Sequence, residues 1–235
     1  MNLREVPARA LAVFAHPDDP EVACAGTLAA WVDGGADVTV LIVNSGDKGH
    51  GGPDGLVERR HEEMVEAAAV LGLAGVTAFG IPDGTVENDE ALRERLVRHI
   101  RLLRPDVVVA PDPTAVFFGD TYVNHHDHRA VGWAVLDACA PMAGSPLYFP
   151  DSGPPHPVAT VLLAGTLEPD CWVDISTTID RKGAALACHT SQLAEHVEVI
   201  DEVVRARAEE AADAASAAGT SGLALAEGFR RLRLG

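Results

Sequence analysis

The sequence predicts an α/β fold, a doubly wound and mainly parallel Rossmann-like sheet with a smaller carboxyl-terminal extension. Three observations predict it. Short apolar runs with almost no polar residue recur, as in strands buried on both faces. Segments of helical patterning separate them, so strand and helix alternate over the first 140 residues. Glycine and proline signals stand at the joints.

The first run, Leu11–Ala15, is a strand ending at His16-Pro17-Asp18-Asp19-Pro20-Glu21. A helix over Ala25–Gly34 ends at Gly34-Gly35. Asp37–Val43 (DVTVLIV) is a buried strand, and the glycine-rich loop Asn44–Gly55 follows it. Leu56–Leu71 is a charged, Ala-rich helix stopped by Gly72. Val76–Phe79 is a third strand, and Ile81-Pro82-Asp83-Gly84 has turn chemistry. Glu90–Leu103 places Leu92, Leu96, Ile100 and Leu103 on one helical face. Asp106–Ala110 (DVVVA) is a fourth strand, and Asp127–Ala140 another helix. From Pro141 to Pro157 the chain is proline-rich and reads as a surface loop. Strands over Ala159–Leu163 and Cys171–Ile175 and helices over Ile179–His189 and Glu195–Ala218 follow. The tail Ala224–Leu232 is open between strand and helix.

At 235 residues the chain is expected to be one domain, with a core over 1–140 and an extension over 141–235. Such a length buries a core without disulfides. The formal charge of -17 argues against nonspecific nucleic-acid binding and against an anionic membrane surface. No apolar run reaches the ~18 residues of a transmembrane helix. Cys24, Cys139, Cys171 and Cys188 are far apart. With no secretory leader in Met1–Ala10, they read as reduced thiols of a cytoplasmic protein. A homo-oligomeric state stays open.

Ligands of open α/β sheets bind at the carboxyl ends of strands. The first strand ends there in a histidine and carboxylates, and a second cluster, His125-His126-Asp127-His128, follows the fourth. A catalytic zinc site uses three protein ligands and leaves one position open. His16 and His128 each offer an imidazole and Asp19 a carboxylate; one helical turn brings His16 and Asp19 to one side. Asp18 then projects differently, as a general-base candidate. His125, protonated, is expected to stabilise an oxyanion and later protonate a leaving group. Asp127 is expected to orient or charge that imidazole. A helix cap explains Asp18-Asp19 alone, and a polar turn the histidines alone; their joint occurrence weighs against both. The loop Asn44–Gly55 lacks the Gly-Lys-Ser/Thr ending of a P-loop, and no G-x-G-x-x-G follows the first strand. Asp47, Lys48 and His50 are rim or solvated residues, and Tyr122 is a loop aromatic.

The two clusters resemble the paired signatures of the LmbE-like (PIG-L) zinc-dependent N-deacetylases. Arg60-x-x-Glu63, Pro82-Asp83-Gly84, Val173–Ser176 through Lys182 to His189-x-Ser191-Gln192, and Glu227-x-Phe229 are similar to further parts of that family. The resemblance implies zinc, or another divalent ion, on His16, Asp19 and His128. It implies Asp18 as base, His125 at the oxyanion with Asp127 behind it, and Arg60 and Asp83 on the substrate. It implies hydrolysis of an acetyl or related acyl amide on an N-acetylglucosaminyl-type small molecule. Pro20 between Asp19 and Glu21 departs from the tightest form of the motif and leaves Glu21 without a defined role. His126 stands where the second motif usually has proline and is expected to face solvent. Two rivals remain. A metal-dependent phosphoesterase needs a second ion, by conscripting Asp18, Asp112 or His126. A non-catalytic metal- or sugar-binding module has no use for Asp18 and His125.

Overall fold

The computed structural model of the chain describes residues 5–50, 54–193 and 198–234. Residues 1–4 of the leader reading, 51–53 of the glycine-rich loop and 195–197 of the last expected helix lie outside them. In order, β1 (Arg9–Phe14), α1 (Asp19–Ala23), α2 (Ala25–Asp33), β2 (Asp37–Asn44), α3 (Leu56–Leu71), β3 (Gly75–Ile81), α4 (Glu90–Leu103) and β4 (Val107–Pro111) form the first half. A hairpin, β5 (Phe117–Phe118) and β6 (Tyr122–Val123), precedes α5 (His126–Asp137). Then come β7 (Thr160–Ala164), β8 (Cys171–Asp174), α6 (Ile179–Ala187), α7 (Thr190–Leu193), α8 (Ile200–Ala217) and β9 (Ala226–Arg233).

The main sheet has seven strands in the order β3-β2-β1-β4-β7-β9-β8. β1 pairs in parallel with β2 and β4, with Ala12 opposite Val40 and Val109. Alternate residues of β1 explain the continuous apolar run. Ala10, Ala12 and Phe14 join a core with Leu28 and Trp31 of α2 and with α6 and α8. Leu11, Val13 and Ala15 join a second core with Leu96 and Ile100 of α4 and Val131 and Val135 of α5. Both faces are covered, as the parallel, doubly wound reading requires. The carboxyl-terminal residues continue this sheet: β7 is parallel to β4, and β9 runs antiparallel to both β7 and β8.

Where the expected boundaries move, local chemistry moves them. The helix expected to reach Ala140 ends at Asp137 and passes into a π-helical turn at Ala138–Met142. Pro141 drives the residue before it out of the helical region, and Ala140 sits at φ -141, ψ 113. The tail resolves as β9, because β7 and β8 offer edges on both its sides. Against it, α8 buries Ile200, Val204, Ala208, Ala212 and Ala215 at helical spacing.

The proline-rich segment is more than a surface connection. Arg101, buried on α4, donates to the carbonyls of Met142, Ala143, Ser145, Tyr148, Phe149 and Gly153. One guanidinium thus satisfies six carbonyls of the loop. Arg101→Ala should cost about 3–5 kcal/mol in urea unfolding, since it leaves those carbonyls without donors. A loss under about 1 kcal/mol would show that water replaces the guanidinium freely.

Candidate metal centre

In strand order, β1 is flanked by β2 on one side and β4 on the other, so the chain winds away from β1 in both directions. This is the switch point where open α/β sheets open a crevice. The segment after β1 carries His16, Asp18 and Asp19; the segment after β4 leads to His125 and His128. A tight contact seats the second group. A Cβ on Gly132 of α5 would lie 2.5 Å from the Pro111 carbonyl oxygen, so only glycine lets α5 approach the end of β4 this closely.

After β1 the chain turns at once. Asp19 N donates to His16 O at 3.2 Å, and His16 N donates to Asp19 Oδ2 at 2.8 Å. The expected juxtaposition of His16 and Asp19 is met. Across the crevice, His128 sits in the first turn of α5. Its Nε2 lies 3.0 Å from His16 Nδ1 and 3.1 Å from Asp19 Oδ1.

The outer partners fix both tautomers. Asn124 Nδ2 donates to Ala115 O at 2.8 Å, which turns its Oδ1 toward His128 Nδ1 at 2.9 Å. His128 Nδ1 therefore carries the hydrogen and Nε2 the lone pair. His16 Nε2 faces Asp83 Oδ1 at 3.3 Å and Asp127 Oδ2 at 3.9 Å, so it carries the hydrogen and Nδ1 the lone pair. Two imidazole lone pairs and a carboxylate converge on one point. Lone pairs 3.0 Å apart repel unless a cation or a proton lies between them. The donor set fits a divalent ion of the zinc type, with the hydrogen-bonded outer shell such ligands carry.

The profile of the PIG-L family, GlcNAc-PI de-N-acetylase, matches residues 11–139. The chain belongs to this family. It is 32% identical over 199 residues to the diacetylchitobiose deacetylase of Thermococcus kodakarensis, covering 80% of this chain and 72% of that one. It is 30% identical over 246 residues to the 1D-myo-inositol 2-acetamido-2-deoxy-alpha-D-glucopyranoside deacetylase of Rhodococcus jostii, covering 79% and 82%. In fold it is similar to the N,N'-diacetylchitobiose deacetylase of Pyrococcus horikoshii, at a TM-score of 0.84 and 24% identity over 97% of this chain and 84% of that one.

In this PIG-L chain the other expected site residues fall into different positions. Asp18 is half-buried, and its Oδ1 accepts from Arg60 Nη2 at 3.0 Å. Arg60 is itself buried and spends Nη1 on Gly46 O at 3.2 Å. It lies behind Asp18, where the sequence placed it on the substrate. Asp83, also expected on the substrate, is buried and orients His16. Asp127 does not hydrogen-bond the His125 ring through its carboxylate, although its charge favours the protonated ring. Its oxygens accept from Asn44 Nδ2, Gly84 N and Val86 N, and they face His16. Backbone links the two instead: His125 caps α5 by accepting Asp127 N at Nδ1, 3.2 Å away. Nε2 of His125 then carries the hydrogen and is a donor. Burial and the neighbouring His16 push the His125 imidazole below its ordinary value, against the opposing charges of Asp127 and Asp83. His126 stands apart at the surface, 3.8 Å from Glu87, as the sequence expected. Glu21, without a defined role in the sequence, is buried and meets His189 Nε2 at 3.2 Å.

Sequence reading missed Asn124 and Asn44, and it singled out Lys182 and Glu227 without pairing them. Glu227 on β9 accepts from Gly26 N and Thr27 N at 3.0 and 2.7 Å, at the positive end of α2. Lys182 on α6 donates to Glu227 at 2.6 Å and to Val22 O at 2.9 Å. The carboxyl-terminal half thereby clamps α1 and α2, which follow directly on Asp18. A buried lysine and glutamate near a family motif are the available signal; their partners are up to 201 residues away.

Burial lowers the His16 pKa, but the Asp19 hydrogen bond and the charges of Asp19, Asp83 and Asp18 outweigh it and raise it from 6.5 to about 9. Burial likewise raises Asp19, but His128 and His16 hold it well below the carboxylate range. In metal-free protein the His16 proton adds stability fully present below pH 6.5 and lost as pH rises through about 9. A metal ion must displace that proton. Apparent affinity should therefore fall by up to about tenfold per unit as pH drops from about 8 to 6. Competition with a chromophoric chelator measures this, and a flat profile would remove His16 from the ligand set.

Proposed function

We propose that the protein is a metal-dependent N-deacetylase that hydrolyses the acetamide of an N-acetylglucosaminyl-type small molecule. One observation carries this reading: two oriented imidazole lone pairs and Asp19 meet at one point, with the carboxylate of Asp18 alongside. A divalent ion, taken here as zinc, on His16, Asp19 and His128 would supply Lewis-acid chemistry, polarising a carbonyl and acidifying water. Asp18 holds Arg60 at Oδ1 and takes a proton from the attacking water at Oδ2. His125 directs its Nε2 hydrogen at the charge developing on the amide oxygen. Asp18 then passes the proton to the leaving nitrogen, so hydroxyl ends on the acyl carbon and hydrogen on the amine. Asp83 and Asp127 act through His16, and Arg60 through Asp18.

The same geometry disfavours a two-ion phosphoesterase. Asp112 Oδ1 is taken by Thr114 N and Oγ1, and Asp18 Oδ1 by Arg60. His126 is remote from the centre. We take residues 1–235 as one catalytic unit, because β7, β9 and β8 continue the sheet that carries the ligands. A cytoplasmic location agrees with the free thiols of Cys24, Cys139, Cys171 and Cys188. Among the described residues no helix is long and apolar enough to cross a membrane. The test is acetate release from N-acetylglucosaminyl conjugates by zinc-loaded protein, with metal-free protein as control. Equal rates with and without metal would refute the reading.

A further inference from the structure

A cavity of about 730 Å³ stands at the metal ligands, bounded by Asp18, Asp19 and His128. A second, of about 450 Å³, lies between α1, α6 and α8. Asp18, Val22, Ala23 and Arg207 line both, so the two adjoin at Asp18. Aliphatic side chains dominate the second cavity, among them Leu186, Ile200, Val203 and Val204. Val203 is 45% exposed and lines this cavity together with Asp18. The polar groups at its floor are already matched, since Lys182 and Glu227 bind each other and backbone.

Apart from Asp18 and Arg207 at its junction with the metal cavity, this wall offers a sugar almost nothing to hydrogen-bond; it suits hydrocarbon. The opposite side of the centre is the polar one. There His125 Nε2 lies 4.0 Å from Asp83 Oδ1, and Lys48 donates to the Asp83 carbonyl. An amide carbon at the metal has two substituents, nitrogen and acyl chain. With the amino sugar on the polar side, the acyl chain points past Asp18 toward Val22 and α8. A methyl group leaves most of 450 Å³ empty, given the ~30 Å³ that one water occupies in the liquid.

We propose that this cavity is an acyl subsite, and that the enzyme prefers N-acyl amino sugars with a medium-length alkyl chain over the N-acetyl compound. The proposal rests on the amide-hydrolase reading of the same centre. The reaction is unchanged in kind: the C–N bond breaks, hydroxyl joins the acyl carbon, a proton joins nitrogen, and a medium-chain carboxylate leaves.

The experiment compares N-octanoylglucosamine with N-acetylglucosamine, in turnover by zinc-loaded protein and in calorimetric binding to metal-free protein. A fully buried methylene is worth about fourfold, so kcat/KM and affinity should each favour octanoyl by at least about tenfold. Val203→Asp and Val199→Asp put a charge on exposed positions of the cavity wall, where folding tolerates it. Each should reduce the octanoyl advantage below about threefold and leave the acetyl rate within about twofold. Equal turnover and binding of both compounds would overturn the subsite and leave the deacetylase reading standing. Tighter octanoyl binding without hydrolysis of either compound would overturn the hydrolase reading, and with it the acyl assignment. An octanoyl advantage untouched by both substitutions would place the chain elsewhere.

Discussion

Replacing His128 with alanine should empty the metal centre and abolish amide hydrolysis. His128 supplies one of three converging donors, and the remaining two cannot hold a tetrahedral ion against competing water and buffer. Metal content after gel filtration should fall from near one ion per chain to below about a tenth, and kcat by more than about 10⁴-fold. The fold should survive, since the side chain is 22% exposed and ends in the crevice. Asn124→Ala is the graded comparison. It removes the acceptor that fixes the His128 tautomer, and with it the donor to Ala115 O, but none of the three converging donors, so the ion should bind about 10–100-fold more weakly and still support turnover at saturating zinc. Elemental analysis reads both variants. A His128→Ala protein holding one ion per chain with parental affinity would refute the ligand assignment.

Much of this arrangement is legible from sequence because His16 emerges at a strand end and His128 at a helix start, where local pattern and motif coincide. The run Leu11–Ala15 fixes where His16 emerges, and the three-residue spacing to Asp19 is local. His125 and His128 open α5 in the same way. What sequence does not show is where the surrounding carboxylates point. Asp127 neighbours His125 in the chain, yet its oxygens reach the 84–86 turn and Asn44. Arg60 reads as a substrate contact and turns inward to Asp18, because α3 packs its guanidinium under the glycine-rich loop. The tail Ala224–Leu232 has no decisive period, since Glu227 interrupts the apolar pattern to cap α2 and the strand is specified by its neighbours. Arg101 reads as one more charge on α4, and only the folded loop reveals its carbonyl partners.

Asp18→Asn should leave the ion in place and reduce kcat by about 10²–10⁴-fold, the range for removing a general base. Asp18 flanks the proposed ligand Asp19 but is absent from the converging set, so the substitution changes no proposed donor to the ion. The amide oxygen still accepts from Arg60, which keeps the loop geometry and avoids stranding a buried guanidinium. KM should move by less than about threefold, because a base acts on the attacking water and makes little ground-state contact with substrate. This separates base from binding residue. A rise in KM with kcat preserved would make Asp18 a substrate contact. Arg60→Met gives the second arm. It frees Asp18 from its positioning partner, so kcat should drop less than in Asp18→Asn, and the double variant should be no worse than Asp18→Asn alone. Additive losses in the double variant would mean that Arg60 meets the substrate itself, and full activity in Asp18→Asn at one ion per chain would mean that another group takes the proton.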